Sequence, residues 1–212
     1  MKYIIFDFDG TLADSRDVFI AAWNLFAPKY RYDPIDIEGV IATKHMSLTK
    51  RAKVYHFPMH KLPVIMPKVY RYFQENIKDV KLFDGIKDVL NKLAEEGYTV
   101  VVLSSNAKEN IELLLKQEGV NSVSEVLTSS KIFGKDTVLR KFMKLKQVDP
   151  DELLYVGDEL RDIIACNKVN VPFMWVSWGI DGFDLIEKEN PKYVVHKPEE
   201  IVDVLITERN LS

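Results

Sequence analysis

Four acidic residues stand where short apolar runs end. Two lie in Phe6-Asp7-Phe8-Asp9-Gly10-Thr11-Leu12, directly after the run Tyr3 to Phe6. Side chains alternate along a strand, so Asp7 and Asp9 share a face and Phe8 points the other way. Two carboxylates on one face repel each other unless a cation sits between them or one is protonated. Gly10 removes a side chain and lets a ligand approach the backbone. Thr11 offers a hydroxyl and an N–H. The other two acids lie in Tyr155-Val156-Gly157-Asp158-Glu159-Leu160-Arg161-Asp162. Asp158 ends a run and Asp162 follows one helical turn later, so both can face one point. Glu159 and Arg161 are expected to face outward, with Glu159 a weaker candidate ligand.

Two further segments carry donors. Val101-Val102-Leu103 runs into Ser104, Ser105 and Asn106, hydroxyl and amide groups that could also cap a following helix. Phe133-Gly134-Lys135-Asp136 puts Lys135 at a helix start, with Lys131 a competitor from the same loop. Asp136 suits the positive end of the helix dipole.

These positions need a scaffold. The apolar runs Tyr3 to Phe6, Val100 to Leu103, Leu153 to Val156, Phe173 to Val176 and Tyr193 to Val195 are rich in β-branched and aromatic residues. Several lack polar alternation, the pattern of strands buried on both faces in a parallel sheet. The segments between them read as helices. Ile86, Val89, Leu90 and Leu93 follow i, i+3, i+4, i+7 spacing with Gly97 behind, and Ile111, Leu114 and Leu115 lead to Gly119. Thr137 to Lys146 and Asp162 to Val169 read likewise. The expected fold is α/β, a doubly wound parallel sheet with a Rossmann-like core. In open sheets of this kind ligands bind beyond the carboxyl ends of the strands, where all four acids lie.

One stretch breaks the rhythm. Between about Ser15 and Val80 no clear strand is visible. Phe19 to Phe26, Ser47 to Tyr55 and Val64 to Ile77 read as helices, punctuated by Pro28, Pro34, Pro58 and Pro63. The expected division is 1–14 core, 15–80 a small helical cap inserted after the first strand, and 81–212 the rest of the core. The insertion holds seven Lys and four Arg against four Asp and two Glu, a net +5 in a chain of net −3.

DFDGTLADS, SSN after the second long strand, the lysine at Lys135 and GDELRD occur in the order and spacing of the haloacid dehalogenase-like hydrolase superfamily. The resemblance covers nearly the whole chain, and the insertion resembles the cap of its phosphoglycolate phosphatase-like branch. It implies a magnesium-dependent phosphatase with Asp7 as nucleophile, passing through an aspartyl phosphate. Asp9 is then the general acid and base, and Lys135 pairs with the nucleophile and the phosphate. Gly10, Thr11, Ser104, Ser105, Asn106 and Lys135 are the implied phosphate-binding residues. Mg2+ falls to Asp7, Asp9 through its backbone carbonyl, and Asp158, with Asp162 either binding through water or orienting the site. An acid two residues after the nucleophile favours phosphate esters over the halide and phosphonate chemistry of relatives. The implied substrate is a small phosphorylated metabolite: phosphoglycolate, a sugar phosphate or a nucleotide. Arg16, Lys44, His45, Lys50 and Arg51 are the cap cations that could reach an anionic one. A phosphosugar mutase and a non-catalytic binding protein are the alternatives on the same scaffold.

The remaining features are quieter. With 47% apolar residues the composition is that of an ordinary globular protein, and the charge points to neither nucleic acid nor membrane. The opening run is too short for a signal core, and the single cysteine, Cys166, makes no internal disulfide. A cytoplasmic monomer or homodimer is expected. No GxGxxG follows the first strand, which argues against a dinucleotide-binding enzyme. Trp175 and Trp178 are expected to pack in the core, as is Cys166.

Overall fold

The computed structural model describes residues 1–129 and 134–211. The chain opens with β1 (Tyr3–Phe6) and the short β2 (Ala13–Asp14). Helices α1 (Arg16–Tyr30), α2 (Ile37–Ala42), α3 (Leu48–Val54) and α4 (Leu62–Glu75) follow. The chain then returns through β3 (Lys81–Leu82) to α5 (Ile86–Glu95), β4 (Thr99–Ser104), α6 (Lys108–Gln117) and β5 (Val123–Thr128). The last part runs α7 (Lys135–Lys146), β6 (Leu153–Gly157), α8 (Leu160–Asn167), β7 (Phe173–Val176), α9 (Phe183–Ile186), β8 (Tyr193–Val195) and α10 (Glu199–Leu211).

Six strands form one parallel sheet in the order β5-β4-β1-β6-β7-β8. Alternation along each strand divides its apolar residues between two layers. Ile4, Phe6, Val100, Val102, Leu154 and Val156 face one side, where α5, α6 and α10 supply Leu90, Ile111 and Leu205. Ile5, Val101, Leu103, Leu153 and Tyr155 face the other, against Leu139 of α7 and Ile163 of α8. This is the doubly wound arrangement read from the sequence. Gly97 and Gly119, the expected helix stops, both take positive φ. Cys166 is fully buried. No helix among the described residues is long and apolar enough to cross a membrane.

The segment between β2 and β3 is helical throughout its regular elements and has an apolar cluster of its own. Tyr32, Phe57, Ile65 and Val69 are buried there, and Trp23 stacks on Phe57 with ring centres 4.8 Å apart. β2 and β3 pair antiparallel, Ala13 with Leu82 and Asp14 with Lys81, so the segment leaves and re-enters the core through one ribbon. Pro28 does not end α1 as its position suggests; it sits in the last turn, and the helix stops at Arg31, which has φ 59°. Lys131 and Phe133 lie outside the described residues.

Leu90 is completely buried under the sheet. Leu90→Ala should lower stability by about 2–5 kcal/mol, read from the urea midpoint. A loss below about 1 kcal/mol would show that this layer is loosely packed.

Candidate active site

The carboxyl ends of β1, β4 and β6 lie side by side, and the acids and donors of the four segments meet there. Asp7 follows β1, and its N–H continues the ladder to Val156 O at 2.9 Å. Its side chain lies on the face of Ile5, while Phe8 packs into the opposite layer. Asp7 Oδ1 accepts a hydrogen bond from Phe8 N–H at 2.8 Å and lies 2.8 Å from Lys135 Nζ. Asp7 Oδ2 is buried and has no hydrogen-bond partner. Burial works against the Asp7 charge, but Lys135 and then Arg161 outweigh it and lower the pKa, so Asp7 is a carboxylate.

Lys135 opens α7 and is buried. Its ammonium lies 2.7 Å from Asp162 Oδ1 as well, and 5.4 Å above the ring of Tyr155. Burial alone would lower its pKa, but Asp162 and Asp7 raise it, and the amine stays charged. Asp162 is thus the second carboxylate against this cation. Burial, followed by the charge of Asp7, pushes its own pKa up.

Asp9 Oδ2 accepts from Asn106 Nδ2 at 3.0 Å. Burial first, and Asp7 second, raise its pKa to about 6. Asn106 is itself aimed: its Oδ1 accepts from Ala107 N–H at 2.8 Å and from Asn110 Nδ2 at 3.0 Å. Ser104 is buried beneath this turn, its Oγ accepting from Asn106 N–H at 3.1 Å. Ser105 lines the cavity above, and Arg161 donates to its Oγ at 3.3 Å.

Asp158 is completely buried at the end of β6. Oδ1 accepts from the Thr11 hydroxyl and Oδ2 from Ile180 N–H, each at 2.7 Å. Thr11 N–H is directed at Phe8 O and Gly10 N–H bonds Ala13 O. The donors of Thr11 and the N–H of Gly10 are therefore engaged within the protein rather than offered to a phosphate. What Gly10 provides is proximity: at φ +80°, a Cβ there would lie 2.5 Å from Asp158 Oδ2. The indoles of Trp175 and Trp178 donate to Asp158 O and Thr11 O at 3.3 and 3.0 Å, so both pin the loops while packing in the core.

Glu159 and Arg161 do not face outward. They form a two-pronged ion pair, with Arg161 Nη2 2.7 Å from Glu159 Oε1, and both line the cavity. α8 begins at the strand ends, so its first turn stands at the rim of the site, where long side chains curl inward. Of the cap cations, Arg16 and Arg51 line the cavity, while His45 and Lys50 are exposed elsewhere. Sequence reasoning missed Asn110, Asp181 and Gly179. Asp181 Oδ2 accepts from Leu160 N–H at 2.7 Å, and its other oxygen pairs with Arg51. A Cβ on Gly179 would fall 2.1 Å from that of Asp158. A glycine soon after an apolar strand was its one signal.

Four buried or partly buried acids, with Glu159 beside them, face two cations, Lys135 and Arg161. Burial and then Glu159 push Asp158 up, the sign of negative charge in excess. Among the described residues no three Asp, Glu, His or Cys side chains gather as a metal-binding group. A divalent cation would be held by two carboxylates and a backbone carbonyl. That all-oxygen set, with water and substrate completing the shell, fits Mg2+.

The sequence profile of the haloacid dehalogenase-like hydrolases matches residues 4–176. The chain belongs to this family. A phosphoglycolate phosphatase of Synechococcus elongatus is 30% identical over 209 residues, 97% of each chain. The pyrophosphatase PpaX of Bacillus mycoides is 23% identical over 95% of each. A crystal structure described as a predicted phosphatase from Clostridium acetobutylicum superposes with a TM-score of 0.83 at 22% identity, covering 97% of this chain and 98% of its own. That likeness fixes the fold, and the family match at residues 4–176 spans β1, β4 and β6.

Gly179→Ala should cost about 1–3 kcal/mol through overpacking against Asp158. Urea denaturation checks it, and a variant as stable as wild type would mean that the loop yields freely.

Proposed function

We propose that this protein is a magnesium-dependent phosphatase that hydrolyses a small phosphate monoester through covalent catalysis on Asp7. The observation that carries this reading is the division of labour between the two oxygens of Asp7. Oδ1 is held by Phe8 N–H and Lys135, and Oδ2, though buried, has no hydrogen-bond partner. A carboxylate fixed by one oxygen presents the other in a defined direction, which favours attack.

In the first half-reaction a bond forms between Asp7 and phosphorus as the bond from phosphorus to the alcohol oxygen breaks. Asp9, with its pKa raised to about 6, gives its proton to the departing oxygen. In the second half, water attacks phosphorus, Asp9 takes the water proton, and inorganic phosphate leaves a restored Asp7. Lys135, Ser104 and Ser105 bear on the phosphoryl oxygens, where positioning and charge do most of the work. Asp162 holds Lys135 in place, and Asn106 orients Asp9. When bound, Mg2+ would be held by Asp7, Asp158 and the backbone carbonyl of Asp9, offsetting the repulsion between the anionic nucleophile and an anionic substrate. Residues 15–80 serve as the cap that shelters the site from water. The relatives named for phosphoglycolate and pyrophosphate support the reaction class.

Phosphate release from a panel of monoesters, with Mg2+ and with EDTA, tests the proposal. Release should depend on Mg2+ and fall on the order of 10³-fold or more in Asp7→Asn with the melting transition retained. Lys135→Ala should lose roughly 10²-fold or more. Near-normal Mg2+-dependent turnover in Asp7→Asn would remove the nucleophile from its role.

A further inference from the structure

A cavity of about 200 Å3 rises from Asp9, Gly10 and Asn106 into the helical segment. Its upper wall is built by Phe19 and Trp23 of α1, Leu48 of α3, Tyr55, and Met66 and Val69 of α4. All six are apolar or aromatic. Three arginines line the cavity, and each already faces a carboxylate. Arg16 pairs with Asp14 at 2.8 Å, Arg51 with Asp181, and Arg161 with Glu159. Lys44, His45 and Lys50 do not line it.

The upper wall itself thus carries none of the segment's +5: Arg16 and Arg51 line the cavity with their charges already paired, and half-buried Lys44 feels the charges of Asp158 and Asp181. A leaving group with a carboxylate of its own would meet rings and methylenes there and would lose water without a new partner. An apolar leaving group gains from the same transfer. The size is informative too: an engineered apolar cavity of ~150 Å3 in another protein holds benzene.

We propose that the substrate's alcohol portion is apolar and ring-sized, seated between α1 and α4 above Asp9, and is not a second anionic group. This rests on the phosphatase reading above and narrows its substrate class. The bonds made and broken are unchanged. The alcohol leaves neutral with the proton from Asp9, into a wall that has no charge to solvate.

Steady-state phosphate release by the full chain with Mg2+ tests this on four esters of primary alcohols: benzyl, n-hexyl, ethyl and glycolate. Benzyl phosphate should exceed ethyl phosphate and phosphoglycolate in kcat/KM by about tenfold or more. Hexyl phosphate near benzyl phosphate also supports the proposal, as recognition of apolar volume. Met66→Trp, which fills the cavity, should lower the benzyl-to-ethyl ratio by about tenfold. Phe19→Glu, at a position 37% exposed and so safe for folding, should lower it too. Phosphoglycolate or ethyl phosphate cleaved as well as benzyl phosphate, with the ratio unmoved in both variants, would overturn the proposal and leave the phosphatase reading standing. Release from no ester at all would overturn both.

Discussion

The ammonium of Lys135 lies between Asp7 and Asp162, 2.8 and 2.7 Å away, with hardly any of its surface exposed. Desolvation opposes all three charges: the ammonium and Asp7 offset it for each other, while Asp162, with Asp7 beside it, is pushed up. The neighbouring architecture follows from that requirement. β1 must end beside β6 so that Asp7 and Asp162 converge, and α7 must begin at their level so that its first residue can reach both. Tyr155 lies below the ammonium as an aromatic floor and donates its hydroxyl to Leu103 O at 2.9 Å, tying the floor to β4.

Around this triad, polar groups divide into those that hold other groups and those left facing the cavity. Thr11 and Ile180 N–H both bind Asp158, Asn110 holds Asn106, and Asn106 holds Asp9. Such chains fix the carboxylates before any substrate arrives, which is the form of preorganisation on which electrostatic catalysis depends. The arginines show the same economy at the rim. Arg51 donates to Thr43 O and Lys44 O as well as to Asp181, so it joins the helical segment to the loop after β7.

The sequence made the sheet legible where strands are buried on both faces. β1, β4, β6, β7 and β8 appear as uninterrupted apolar runs. β5 does not, because Val123–Thr128 is half exposed and carries Ser124 and Glu125, whereas β8, the other edge, is the unbroken run Tyr193–Val195. The positions of Asp7, Asp9 and Asp158 at strand ends and of Lys135 at a helix start were readable because each sits at a junction of strand and loop or loop and helix that local pattern alone reveals. Arg161 was misread because its direction depends on where α8 starts relative to the sheet. Asn110, Gly179 and Asp181 were missed since their partners are distant or their roles depend on close approach. The substitution of ring wall for cationic wall in the cavity was equally hidden, because net charge says how many cations a segment holds and nothing of where they point.

The ribbon of β2 and β3 ties residues 13–14 to residues 81–82. A segment whose two ends are clasped in this way imposes no separation on the strands it interrupts. Its length and content can change without altering the span that β1 and α5 must bridge. In evolutionary terms the helices between Arg16 and Glu75 form a replaceable cartridge. On the proposed reading, exchange of that cartridge would change what the enzyme selects and leave the strand ends below it as they are.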